Sequence, residues 1–301
     1  MGFRTMEVNC SAELHVQKGR LLIEYDEGKV AIALDDLDTL VLSGPDIRLS
    51  SNAMASMAEQ GVMLIVCGRS YRPQGILMST TPNARHTLVA RQQISARREF
   101  YDELWASIIR RKIENQSRCL ALLEKPGSTK LAAYVEHVNL GDKENIEGVA
   151  AREYFPLLHE GLNRRTDDPF NSILNYGYAI VRSKIVKAVV STGFVTCIGI
   201  HHDSQLNTFN LADDLIEPYR PFVDIMASKL LSSSSRLDKE QRHALVGVLH
   251  HRCLIDGVST SVMRAIERTV DSFRQAIENE DATRLQLPVL VQPEMLDEVD
   301  E

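Results

Sequence analysis

The sequence predicts an α+β fold: an N-terminal β-sandwich domain over residues 1–80, a linker over 81–90, a larger all-α domain over 91–287 and an acidic, mobile tail over 288–301. Three observations carry this. Up to about residue 79 the apolar residues alternate in short runs, the period of a half-buried strand. From about 85 to 280 they recur at helical spacing. After Leu287 the chain turns acidic, and its last eleven residues hold five acids and no base. With 301 residues, 44% of them hydrophobic, there is material for one large core or two smaller ones.

The strand signals MEVNCS, ELHVQ, RLLIEY, KVAIAL, DTLVLSG, VMLIVCG and QGILMS follow one another between Met6 and Ser79. Lys18-Gly19, Glu27-Gly28 and Gly44-Pro45 supply the turns, because glycine accepts backbone angles that other residues avoid and proline pre-sets its own. Short strands with regular turns fit a sandwich or small barrel. One helix is expected at Ser51–Gln60, with Ser51 as cap and Gly61 as stop. Thr80-Thr81-Pro82-Asn83 has the composition of a linker. A long helical stretch runs from Arg85 to about Leu123 and breaks once before Pro126-Gly127. Further helices are expected at 128–138, 143–164, 171–192, 211–231, 238–253 and 259–279, with Ser232–Ser235 as a polar loop.

Several classes are excluded. The opening MGFRTMEVNC lacks the apolar run of a secretory leader, and no run approaches the ~20 residues that span a bilayer. The five cysteines are odd in number and scattered, with no C-x-x-C pair. That speaks against a disulfide framework and a zinc knuckle and for a reduced, cytoplasmic protein. No P-loop, G-x-G-x-x-G turn, G-x-S-x-G elbow or H-E-x-x-H helix is present. The net charge of −7 argues against a nucleic-acid partner until its distribution is considered. Residues 85–118 carry eight Lys/Arg against four acids: Arg85, Arg91, Arg97, Arg98, Arg110, Arg111, Lys112 and Arg118. They form either a solvated helix face or a set of phosphate contacts.

Two constellations could carry chemistry. In NIEGVAAREYF (145–155), Glu147 shares a helix face with Ala150, Ala151, Tyr154, Leu157 and Leu158. A carboxylate heading an apolar stripe needs a cation, supplied by a basic side chain such as Arg182 or by a metal. In the segment from Gly199 to Pro221, Asn210 is expected to cap a helix, and Asp213 falls where the helix dipole favours an acid. Asp214 and Glu217 lie at i and i+3 on one face, and two like charges that close call for a cation. Pro218 and Pro221 should end or kink the helix just past them. His201-His202 precedes the pair. One imidazole with two or three carboxylates suits Mg²⁺ or Mn²⁺ better than structural zinc. His250-His251 has no acid at helical spacing and is read as helix surface or packing.

These residues carry a resemblance. The segments 37–54, 61–75, 145–155, 168–183 and 197–224, the last being CIGIHHDSQLNTFNLADDLIEPYRPFVD, resemble the CRISPR-associated adaptation endonuclease family, the larger of two proteins that insert new spacers, in its type II form. The resemblance spans about residues 5–280 and leaves out the acidic tail. It implies a β-domain followed by a helical catalytic domain. It makes Glu147, His202 and Glu217 the catalytic metal ligands, with His202 preferred over His201, and Asp214 an assisting acid. Mg²⁺ or Mn²⁺ is the implied cofactor. The implied partners are a second copy bound through the β-domain, a dimer of the small second adaptation protein flanked by two such dimers, duplex DNA with 3′ overhangs, and repeat DNA. The type II effector nuclease and a ring-shaped accessory protein complete the set.

The expected reaction is direct attack of a captured 3′-hydroxyl on a repeat phosphodiester, with no covalent enzyme intermediate. Tyr154, Tyr176, Tyr178 and Tyr219 then serve packing or phosphate contact rather than attack. Two other readings stand beside it. One is a stand-alone metal nuclease using the same ligands. The other is a non-catalytic DNA-binding scaffold in which Glu147 is a salt-bridge partner and the histidines pack.

Overall fold

The computed structural model describes residues 2, 4–68, 73–79, 85–164, 166, 168–230 and 237–295. It divides into two units, residues 1–82 and 83–301.

In the first unit the alternating runs become strands β1 (Arg4–Val8), β2 (Ala12–Gln17), β3 (Arg20–Tyr25), β4 (Gly28–Ala33), β5 (Leu37–Leu42), β6 (Ile47–Leu49), β7 (Met63–Cys67) and β8 (Pro73–Leu77). They form two four-stranded mixed sheets, β1-β5-β7-β8 and β4-β3-β2-β6. Lys18 and Gly19 both take positive φ, 51° and 72°, and join β2 to β3 as a two-residue hairpin, with Gln17 opposite Arg20. All six residues of β5 are buried, as expected of a strand with parallel neighbours on both sides. Leu14, Leu21 and Ile23 from one sheet share a core with Leu40 and Leu64 from the other and with Ala53 and Met57 of helix α1 (Ser51–Glu59). The cap of α1 is Ser50, not Ser51: its side chain accepts from the Ala53 N–H at 3.1 Å. The three-residue β6 alternates only once, Ile47-Arg48-Leu49, too short a run to stand out in the sequence.

The second unit is organised on two long helices. The stretch from Arg85 breaks at Ala96-Arg97 into α2 (His86–Ser95) and α3 (Arg98–Leu122). α2 thus begins inside the segment expected as linker, whose residues 81–84 lie outside the described residues. α3 is buried on most of its circumference and packs against α4 (Ser128–Tyr134) and α5 (Ile146–Leu158). α6 (Pro169–Thr192) starts at an Asp168 cap with proline in its first turn. The helix expected at 211–231 is broken. α7 (Asn210–Leu215) gives way to a 3₁₀ turn at Glu217–Tyr219 and then α8 (Arg220–Lys229), because Pro218 and Pro221 cannot continue the hydrogen-bond ladder. Asn210 does not cap by its side chain, which instead donates to the carbonyls of Cys197 and Ser204, both at 3.0 Å.

The second unit is not all-α. The helix expected at 238–253 stops as α9 (Lys239–Gly247), and β9 (His251–Ile255) and β10 (Val258–Ser261) follow before α10 (Val262–Asn279). Asp256 and Gly257, with φ of 52° and 73°, close a second two-residue hairpin. His251 therefore lies in a strand, where burial pushes its imidazole down to about 4. The mobile tail expected from residue 288 is instead a strand as far as Met295: β11 (Val289–Met295) pairs with β9. Asn115 of α3, fully buried, accepts the Leu290 N–H at 3.0 Å and donates to the carbonyls of Pro288 and Pro218. No helix among the described residues is long and apolar enough to cross a membrane.

Candidate active site

Three segments far apart in sequence meet at α3. The first is the entry to α5. Gly141, Asp142 and Asn145 hold positive φ of 70°, 47° and 54°. At Gly141 a Cβ would stand 3.0 Å from the Asp102 carboxylate, so the position needs glycine twice over. The two Asp142 oxygens accept the N–H groups of Ile146 and Glu147 at 2.9 and 3.0 Å, and Asn145 Oδ1 accepts that of Gly148 at 3.1 Å. The amides that open α5 are satisfied, and Glu147 is fixed in its first turn.

The second segment is the 3₁₀ turn carrying Glu217, tied to α3 by the Asn115–Pro218 bond of 2.8 Å. Lys112, one turn earlier on α3, joins the two carboxylates. Its Nζ donates to Glu147 Oε1 at 2.5 Å and lies 2.5 Å from Glu217 Oε2. One ammonium thus bridges the two carboxylates. Its sister oxygen accepts from Arg220 Nε at 2.8 Å, and the Arg220 guanidinium lies 4.7 Å over the Tyr178 ring. Burial alone would raise the Glu217 carboxyl. Arg220 and then Lys112 outweigh it and hold the group down to about 2. Burial would likewise lower the Lys112 ammonium, but Glu217 and then Glu147 reverse the sign and raise it. Glu147 does not pair with Arg182, which instead binds Asp213.

The third segment is the histidine loop. Asp214, fully buried, accepts the N–H groups of Ile200, His201 and His202 at 2.5 to 3.1 Å, and His202 Nδ1 lies 2.6 Å from its Oδ1. A Cβ at Gly199 would stand 2.6 Å from Asp214 Oδ2, so glycine lets the loop close on the carboxylate. The hydrogen bond that His202 donates to Asp214 raises its imidazole above the ordinary value against the opposing effect of burial, and Glu217 and Glu147 add to the rise. Nδ1–H turned to a carboxylate leaves Nε2 as the ring's lone-pair atom. Trp105 of α3 stacks on His201 at 4.4 Å, 3° from parallel, and meets His202 edge-on at 5.8 Å. Buried Gln93 clamps the loop from below, bonding Val195 and Ile198.

Of the residues expected in the site, Glu147 and Glu217 converge on one cation position. Asp214 is a partner of His202 rather than of Glu217. Among the described residues, no three His, Cys, Asp or Glu side chains already stand where one ion could reach all of them. The donor set nonetheless fits a hard divalent cation: two carboxylates gathered on one positive charge, and an oriented imidazole electrostatically coupled to both. Lys112 is 7% exposed and belongs to this cluster, so it is not a surface phosphate contact. Arg97 pairs with Glu280, Arg98 with Asp102 and Arg111 with Glu114, while Arg110 donates to the Val138 carbonyl at 2.6 Å. Arg85, Arg91 and Arg118 are exposed. The four tyrosines are buried. Tyr154 and Tyr178 donate to Asp224, and Tyr219 bonds Thr269, which makes them packing residues. Sequence reasoning missed Asn115, Gln93, Trp105 and Arg220, and misplaced Lys112. The signal for Lys112 was its place on an apolar stripe, with Ile108 and Ile109 one turn before it.

Fold and site together define a two-unit α+β protein whose helical unit buries a carboxylate, imidazole and cation cluster. Residues 8–249 match the family described as CRISPR associated protein Cas1, and the chain belongs to that family. A CRISPR-associated endonuclease Cas1 from Neisseria meningitidis serogroup C (strain 8013) is 27% identical over 299 residues, 97% of each chain. The fold is also that of a casposase bound to integration product, with a TM-score of 0.77 at 16% identity over 92% of this chain and 91% of that one. A chain of a Cas6-RT-Cas1–Cas2 complex matches with a TM-score of 0.73 at 20% identity over 94% of this chain and 36% of that one.

Proposed function

We propose that this protein is a metal-dependent DNA endonuclease and integrase of CRISPR adaptation, of the type II form, that joins the 3′-hydroxyl ends of captured DNA to a CRISPR repeat. The observation that carries the reading is the convergence of Glu147 and Glu217, from elements seventy residues apart, on one cation position beside an oriented His202. Glu147, His202 and Glu217 would hold Mg²⁺ or Mn²⁺, which would supply neutralisation of the charge that builds on the phosphate. Asp214 fixes the ring of His202, and Arg220 keeps Glu217 ionised. In the reaction the 3′-oxygen bonds to the repeat phosphorus as the existing P–O ester bond breaks, and a new 3′-hydroxyl is left on the repeat strand. One ester is made for one broken, so no energy source is required. The buried tyrosines take no part.

The names of its relatives support the rest: an endonuclease, a casposase on its integration product, and an assembly of Cas1 with Cas2. We read the two sheets of the first unit as a β-sandwich that pairs two copies, and the small partner as a Cas2-type dimer between two such pairs. Exposed Arg85, Arg91 and Arg118 are the DNA contacts this reading favours. The protein works in the cytoplasm. One observation favours a scaffold instead: Lys112 and Arg220 already balance both carboxylates.

A strand-transfer assay tests the proposal. A labelled short duplex is mixed with a repeat plasmid, the small partner and Mn²⁺. Wild type should place label in the plasmid, and His202→Ala should not. Degradation without joining by both proteins would move the stand-alone nuclease ahead, and no action by either would favour the scaffold.

A further inference from the structure

We propose that Lys112 is a displaceable internal counter-ion, whose ammonium holds the cation position between Glu147 and Glu217 until a divalent cation pushes it aside. The inference rests on the metal reading above. Two carboxylates and two cations, Glu147, Glu217, Lys112 and Arg220, form a neutral cluster. A dication added with Lys112 in place would put like charges side by side in a buried site, where their repulsion is poorly screened. One position therefore serves one cation or the other.

Two features separate a placeholder from a permanent structural pair. The cluster is open at one end: the Glu147 side chain is 26% exposed, against 9% for Lys112 and 5% for Glu217, so a hydrated ion has a way in. Moreover, lysine is a point charge on a flexible four-carbon stem that can swing, unlike the planar, doubly anchored Arg220, which is held by Glu217 and the Tyr178 ring. Lys112 keeps Glu147 and Glu217 assembled in the empty site, where they would otherwise repel, and sets a threshold that a divalent ion must exceed.

Calorimetric titration with Mn²⁺ tests this on the full-length protein as wild type, Lys112→Met, Lys112→Arg and Glu217→Gln. Wild type should bind with a heat that Glu217→Gln abolishes. Lys112→Met should bind at least tenfold more tightly, and Lys112→Arg should stay near wild type. Should Lys112→Met fold poorly, amine acetylation of the wild type followed by mass spectrometry gives the same answer. Lys112 should be protected without metal and become reactive when Mn²⁺ is added. Glu217-dependent binding with no gain in Lys112→Met, or protection unchanged by Mn²⁺, overturns the counter-ion role alone. No Glu217-dependent binding in the wild type overturns the metal reading and this inference with it.

Discussion

In residues 1–82 the buried side chains are almost all hydrocarbon, and Asp38 is the one buried ionisable group among the described residues. In residues 83–301 Lys112, Asp142, Lys184, Asp214, Glu217, Asp224 and Arg242 are all buried. Each such charge is costly to desolvate and is retained only where partners are close. The first unit is built for its fold, with alternating strands, hairpin turns and an apolar core. In the second, four of these groups fall in three linked places: the Lys112 cluster, the Asp214–His202 pair, and Asp224 with its two tyrosines. The chemistry proposed above belongs to the unit that holds this buried charge.

The sharpest way to break this contrast is Glu217→Gln. Removing one member of a buried ion cluster should cost about 3–5 kcal/mol, read as a lower urea midpoint, and should reduce strand transfer by about two orders of magnitude or more. A variant that matched wild type in both would show the cluster to be inert. Next comes Leu40→Ala, in the fully buried heart of the first unit. It should cost about 2–5 kcal/mol, seen as faster hydrogen exchange of the β5 amides, and should leave Mn²⁺ binding unchanged. A loss of Mn²⁺ binding would erase the division of labour.

A third test uses pH, to which the second unit alone should respond strongly. Burial raises the Asp224 carboxyl from 3.8 to about 6. The folded state then holds its proton more tightly than the unfolded chain does. Its contribution is present in full below 3.8 and is lost as pH rises through about 6, on the order of 3 kcal/mol. Glu217 runs the other way: its stabilisation is present above 4.5 and is lost as pH falls toward about 2. Thermal melts of Asp224→Asn between pH 4 and 7 should lack the decline that wild type shows. A parallel decline in both would remove Asp224 as its source. The smallest effect belongs to Arg97→Ala. Its exposed ion pair with Glu280 should contribute well under 1 kcal/mol, and a larger shift in Tm would show that surface pairs also matter here.

Much of the first unit was legible because strand alternation and two-residue turns are local signals. The Lys18-Gly19 hairpin is visible as a dipeptide. The same kind of signal at Asp256-Gly257 fell in the gap between the helices expected at 238–253 and 259–279, where it read as a helix–helix turn rather than a hairpin. β11 was hidden by composition, since the acids that follow it made Val289-Leu290-Val291 look like the start of a tail. In the site, Glu147, His202, Asp214 and Glu217 could be picked out, because charged and imidazole groups on apolar faces ask for partners. Which partners they have was not legible. The Lys112–Glu147 and Asn115–Leu290 contacts cross 35 and 175 residues, and nothing in a local window records them. Asp214 could be seen as one of two close acids, but its role in holding three loop amides depends on a close approach that only Gly199 permits.

The chain has a single tryptophan, and it is the one stacked on His201 and set edge-on to His202. Light emitted by that indole comes from one point on α3, against the histidine loop, and from nowhere else in 301 residues. Any event that turns an imidazole, protonates it or draws it toward a neighbour must change the ring's surroundings and therefore its emission. The protein thus carries its own optical gauge at the centre of its site, readable in solution without a label, in the presence of DNA, and on the timescale of mixing.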